Sequence, residues 1–284
     1  MDRATVARPA TMPWERQYEV HRVRMELRAG LVEVPSGLPT FASEGLEAQA
    51  LAIGRIAADS YDYLVGLLGI LPEAQVLVLS EADWAAKSDV PLFGLPNAAD
   101  GTLTVAGTEA PFWADVGSMV ADADRAELEA TYRADDGSVR FGPFFDLVAV
   151  HEVAHLFHMG SVHFPRLWLQ ELFANLCLHA WIERRAPASR TTLMTLPRLG
   201  AKAPPEAFDY RTGHDFERAY TAMPGPNYAW FQFRLQLAAA ELYDSAGEPA
   251  IARLFNAFRL DDEELATQLG DAIDPTLATF ATTF

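Results

Sequence analysis

The sequence predicts an α+β fold of two lobes, and three observations carry that expectation. β-prone segments crowd the first 110 residues, helical periodicity takes over from about residue 120, and no linker, internal repeat or low-complexity stretch divides the 284 residues. Half of the residues are hydrophobic, and a chain of this length buries roughly three quarters of its unfolded surface, enough for a sizeable core. The expected organisation is one domain over 1–284, with a mixed α/β lobe and a small sheet over 1–160 and a mainly helical lobe over 161–284.

Along the chain, RVRMELR at 22–28 alternates charged with apolar residues, which places Val23, Met25 and Leu27 on one face of a half-buried strand. LVEV at 31–34 stays extended up to Pro35. From Ser43 to Leu68 the residues Leu46, Ala50, Ile53, Ala57, Leu64 and Leu68 recur near helical spacing, and Gly69 with Pro72 stops the helix. QVLVLS at 75–80 reads as a strand, PLFGLPNAADG at 91–101 as turns, and TLTVAG at 102–107 as another strand. Helices follow over 122–133, 144–159, 167–185, 228–244 and 248–258, with two short ones towards the end. The Pro-rich stretch 199–227 reads as a long loop, and the acidic runs at 135 and 261 as solvated turns or helix starts.

Charge and cysteine usage narrow the function classes. Lys and Arg number 22 against 39 Asp and Glu, a formal net charge of −17, which argues against a duplex nucleic-acid binder. The single Cys177 cannot form an internal disulfide, and the opening MDRATVARPATMPWERQYEV lacks the continuous apolar core of a secretory signal. No window approaches the ~18 uncharged apolar residues of a membrane span. The expectation is a cytoplasmic protein with no nucleic-acid or membrane partner; its oligomeric state is not legible.

Five of the seven histidines fall between 151 and 179, beginning with His151-Glu152-Val153-Ala154-His155 inside the helical run FFDLVAVHEVAHLFHM. Positions i and i+4 sit about 40° apart around a helix and one turn apart along it, so both imidazoles can meet one ion. Glu152 lies close enough to that face to take a proton from water on the metal. A pair of satisfied histidines on an amphipathic helix gives the same pattern. The apolar character of this helix favours the metal, because unpaired imidazoles and a carboxylate are costly to bury. Candidates for a third ligand are His158, His163, Glu171 and His179. His158 lies about 10 Å along the axis from His151, too far to share its ion. A metzincin pattern fails, since it needs Gly at 158 and His at 161, where this chain has His158 and Ser161.

HEVAH, followed sixteen residues after its second His by the Glu of WLQELFAN, resembles the gluzincin metallopeptidases, the superfamily of thermolysin and the zinc aminopeptidases. Their second helix often reads W-L-N-E-G-F-A; this chain keeps Trp168, Leu169, Glu171, Phe173 and Ala174, with Gln170 for Asn and Leu172 for Gly. The resemblance implies a zincin-like fold with the active-site helix between the lobes. It implies one Zn²⁺ per chain held by His151, His155 and Glu171, with Glu152 as general base in the hydrolysis of a peptide or protein substrate. Asn175 stands where thermolysin-like members carry an Asp that orients the first His. An amide can accept from that imidazole but pushes less charge onto it.

The segment from Asn227 to Phe258 is similar to the helical region of zinc aminopeptidases whose Tyr donates to the oxyanion, and Tyr228 takes the matching position. A packing role for Tyr228 stays open, and His214, with Asp215 beside it to hold its tautomer, and Tyr220 are rivals. No G-x-M-E-N exopeptidase motif and no large N-terminal β-domain are present. TLTVAG reads either as the edge strand above the metal or as an ordinary sheet strand. Trp168, Trp181, Cys177 and His179 read as packing residues, His179 with hydrogen-bond partners. Two other functions fit the same motif: a zinc-binding interaction module without peptidase activity, and a zinc hydrolase of non-peptide amides or esters.

Overall fold

A computed structural model describes residues 24–159, 161–257 and 265–284. It is α+β, with one five-stranded mixed sheet and a helical remainder. A short helix α1 over 24–28 precedes β1 (Val32–Pro35) and β2 (Pro39–Ala42). Then come α2 (Glu47–Leu68), β3 (Gln75–Leu79), α3 (Glu81–Lys87), β4 (Asn97–Ala99) and β5 (Thr102–Ala106). The sheet order is β1-β2-β3-β5-β4, parallel for β2/β3 and β3/β5 and antiparallel at both margins. Every residue of β3 and β5 is buried, as expected of parallel strands covered on both faces. Gly69 closes α2 in the left-handed conformation at φ 69°, the stop that Gly69 and Pro72 predict.

After β5 the chain is helical: α4 (Pro111–Ser118), α5 (Arg125–Tyr132), α6 (Gly142–His158), α7 (Leu167–Arg185), α8 (Arg190–Gly200), α9 (Gly213–Ala219), α10 (Gly225–Ala246), α11 (Pro249–Ala257), α12 (Leu265–Ala272) and α13 (Pro275–Thr283). Helix α6 is buried on nearly all sides because it packs against α2, β4 and β5 and also against α7. Helix α7 in turn packs against α10. Between α2 and α6, Gln49 Nε2 donates to both carboxylate oxygens of Asp146 at 2.9 and 3.0 Å. Trp168 and Trp181 are buried as expected, and the Trp181 indole donates to Asp59. Cys177 is fully buried, which pushes its thiol well above the ordinary range. Among the described residues no helix is long and apolar enough to cross a membrane.

Three expectations are corrected. The strand at 22–28 is helical over 24–28, with Val23 outside the described residues and Met25 exposed. A helical turn stacks Arg24 and Arg28, four residues apart, about 6 Å from each other along the axis, where an extended strand would spread them about 13 Å apart. Arg24 reaches the Asp100 carbonyl at 2.7 Å, while Arg28 donates to Gln75 at 2.7 Å and lies 4.6 Å from the centre of the Phe41 ring. The turn region 91–101 contains β4, and the loop 199–227 contains α9. The start of α9 is a reciprocal cap in which Thr212 accepts from Asp215 N and Asp215 accepts from Thr212 N. Of the two readings of TLTVAG, the ordinary sheet strand is the one found, because β4 pairs with β5 antiparallel and takes the edge. The acidic run at 261–264 lies outside the described residues.

Candidate metal centre

Helix α6 presents His151 and His155 one turn apart, and α7 presents Glu171 opposite them. His151 Nε2 lies 3.0 Å from His155 Nε2 and 3.1 Å from Glu171 Oε2, and the remaining side, from His155 Nε2 to Glu171 Oε2, is 3.7 Å. All three residues are buried, Glu171 fully. Three ligand atoms held about 2.0–2.1 Å from a tetrahedral ion stand about 3.3–3.4 Å apart, and the observed triangle brackets that spacing. The residues could hold a metal ion.

The outer ring nitrogens explain why the inner ones are free to bind. Asn175 Oδ1 can only accept, so His151 Nδ1 beside it at 3.2 Å can donate to it, in the tautomer that leaves Nε2 bare for a metal. His155 Nδ1 meets His158 Nε2 at 2.8 Å. Burial, with the neighbouring His155, lowers the His158 pKa to about 3, so His158 is neutral and its Nε2 can accept from His155 Nδ1. In these tautomers three lone pairs converge on one point in a buried place, an arrangement suited to a cation. Without an ion, the imidazoles and the carboxylate compensate one another instead. Burial lowers the His155 pKa, but Glu171 outweighs it and the net shift is upward. Burial likewise raises Glu171, yet His155 and His151 hold its carboxyl well below the usual range.

A second set of donors fixes Glu171. Tyr220 OH donates to Oε1 at 2.6 Å, and Gln232 Nε2 donates to Oε2 at 2.6 Å. Gln232 also donates to Tyr228 OH at 2.7 Å and accepts from Asn175 Nδ2 at 3.0 Å. With Gln232 occupying a lone pair of its oxygen, the Tyr228 hydroxyl directs its own proton at Glu171 Oε2 only over a long 3.5 Å. Burial and the Glu171 charge raise both phenols well above their ordinary range, so both stay protonated at neutral pH.

Two cavities meet at this cluster. One, of about 80 Å³, is mainly apolar and runs from His151 and Glu152 between α6, α8 and α10. The other, of about 400 Å³, is lined by Glu152, His155, Tyr220 and the β4 residues Asn97 and Ala98. Glu152 and Tyr228 line both. Burial raises the Glu152 carboxyl above its ordinary range; the His151 and His155 imidazoles oppose that rise and Glu171 adds to it.

The structure thus brings together His151, Glu152, His155, Glu171, Asn175, Tyr220 and Tyr228, and leaves others out. His163 and His214 are exposed, and His214 lines neither cavity. Asp215 caps α9 and accepts from the backbone of Arg211 and Thr212, so it does not set a His214 tautomer. His179 is fully buried, but neither ring nitrogen has a hydrogen bond among the described residues, which corrects the expectation of a bonded packing residue; Glu183 stands 3.8 Å away. Sequence reasoning missed Gln232 and the hydrogen bond of His158. Their signals were spacing alone: Gln232 is one turn after Tyr228, and His158 nearly one turn after His155.

No family model, curated protein or solved structure matches this chain.

Proposed function

We propose that the protein is a zinc-dependent, gluzincin-like metallopeptidase with a zincin-type arrangement of α6 and α7. The observation that carries this reading is that Glu152 and Tyr228, a base and a donor, line both cavities beside the His151–His155–Glu171 cluster. Zinc bound by two imidazoles and a carboxylate supplies Lewis acidity and brings the pKa of a water ligand towards about 7.

The chain's own residues supply the rest. Glu152, buried with a raised pKa, accepts the proton of the attacking water and passes it to the leaving amine. Tyr228 OH, held by Gln232 with its proton uncommitted to a short bond, donates to the oxygen of the tetrahedral intermediate. A peptide is favoured over other amides and esters because β4 is an edge strand whose Asn97 and Ala98 line the larger cavity, and extended backbone pairs with such edges.

The test is cleavage of a broad peptide library by the zinc-loaded protein. Activity lost on zinc chelation and in Glu152→Gln, with folding and zinc content kept, is the expected result. A wild type that binds zinc and cleaves nothing in the library sinks the peptidase reading.

A further inference from the structure

The smaller cavity carries a polar group that the reaction outlined above does not use. Gln236 lies on α10 four residues after Gln232 and eight after Tyr228, and all three line the cavity. The walls around it, including Leu178, Leu193 and Phe233, are apolar and buried. Gln236 is only 3% exposed, and its Oε1 accepts no hydrogen bond among the described residues. Its Nε2 faces only the sulfur of Met194 at 3.8 Å, a weak acceptor. An orphaned buried acceptor is costly and is kept where something else satisfies it.

We propose that this cavity receives a glutamine side chain of the substrate and that Gln236 selects it. The inference rests on the peptidase reading for the word substrate, and on the cavity alone for the chemistry. Reach, size and charge choose the side chain. Two helical turns, about 12 Å along the axis, separate Tyr228 from Gln236; a helical side chain leans back towards the helix N-terminus, so that of Gln236 covers part of this span, and an entering Gln covers more of the rest than Ser, Thr or Asn does. The cavity is about 80 Å³, roughly half the ~150 Å³ that accepts a benzene ring, which excludes Tyr, Trp and Phe. At Gln236 an ammonium meets a neutral acceptor, and the one carboxylate of the lining, Glu152, serves as the base of the reaction, which disfavours Lys. Leu fits the walls and leaves Gln236 Oε1 orphaned. A primary amide donates to Oε1 and offers its carbonyl to the Nε2 that Met194 holds weakly.

Two arms test this on the full-length, zinc-loaded protein. In the first, binding of butyramide and of 2-pentanone, which replaces the amide NH₂ by a methyl group, is compared by ligand-observed NMR. Butyramide is expected to bind about tenfold tighter. The preference should vanish in Gln236→Leu, and the thermal midpoint of that variant should rise, because an orphaned acceptor has been replaced by an apolar group; Gln236→Met serves if the Leu variant folds poorly. Equal binding of the two probes, no binding of either, or a preference that survives both substitutions overturns the assignment. In the second arm, peptides with Gln, Leu, Phe, Lys or Thr at each position flanking the cleaved bond are compared. A roughly tenfold kcat/KM preference for Gln over Leu at one position, inverted in Gln236→Leu, is expected. Cleavage with no Gln preference at any position leaves the peptidase standing and removes this inference. Amide-selective probe binding with no cleavage removes the peptidase and leaves the cavity assignment.

Discussion

The Tyr220 hydroxyl donates to Oε1 of Glu171 at 2.6 Å. That bond commits the Tyr220 proton to holding the third candidate ligand, whereas Tyr228, at 3.5 Å from Oε2, keeps its own proton available. The two phenols are therefore separable by experiment. Tyr228→Phe should lower kcat by about 10²-fold or more with little change in KM. Tyr220→Phe should lower zinc affinity by about 10- to 100-fold, since a partner that orients a ligand is lost. His214→Ala, at an exposed position, should behave as wild type in both. A larger kcat loss in Tyr220→Phe or His214→Ala than in Tyr228→Phe would reassign the donor.

Zinc content follows from the converging lone pairs. Elemental analysis of the purified protein should give about one zinc per chain, and none in Glu171→Ala, which removes one of three ligands. Equal zinc in both proteins would take Glu171 out of the ligand set.

The imidazole partners give a finer test. His158→Phe removes the acceptor facing His155 Nδ1, and Asn175→Leu the acceptor facing His151 Nδ1. Each should retain the fold and weaken zinc binding by about 10- to 100-fold in a competition titration with a chelator. Unchanged affinity in both variants would mean that these contacts only fill space.

Away from the centre, Asp146 carries a pH-dependent cost. Burial, against the opposing bonds from Gln49, raises its pKa from 3.8 to about 6. A carboxyl with a raised folded pKa contributes stability that is full below pH 3.8 and lost as the pH rises through about 6. Asp146→Asn should therefore stabilise the protein at pH 7.5, by about 1–2 kcal/mol, and change it little at pH 3.5. Denaturant midpoints of the two proteins at both pH values measure this, and a gain of equal size at pH 3.5 would rule out the electrostatic cause.

The sequence showed the helix pair of the centre better than anything else. HExxH and WLQEL fall in two helices buried along most of their length, and α7 has the boundaries 167–185 that periodicity gives. Short elements were harder to see. The three-residue β4 is too brief for alternation to register, and α9 hides among prolines where only the Thr212–Asp215 cap announces it. Gln232 was illegible for a different reason. Its meaning depends on α10 lying against α7, a tertiary fact that no local pattern encodes. The error at 24–28 arose because alternation in five residues is compatible with a single helical turn, and the deciding contacts, Asp100, Glu73 and Gln75, are 47 or more positions away.

The three candidate ligands all lie within residues 151–171, on two consecutive helices. An ion joining them acts as a crosslink across a short loop, and closing so few residues removes only a modest part of the unfolded chain's freedom. Its grip is local. Losing the ion should first unzip the contact between these two helices and expose their amide hydrogens to exchange, while β3 and β5, buried along their whole length and paired with each other, β3 packed on α2, stay protected until the entire molecule opens.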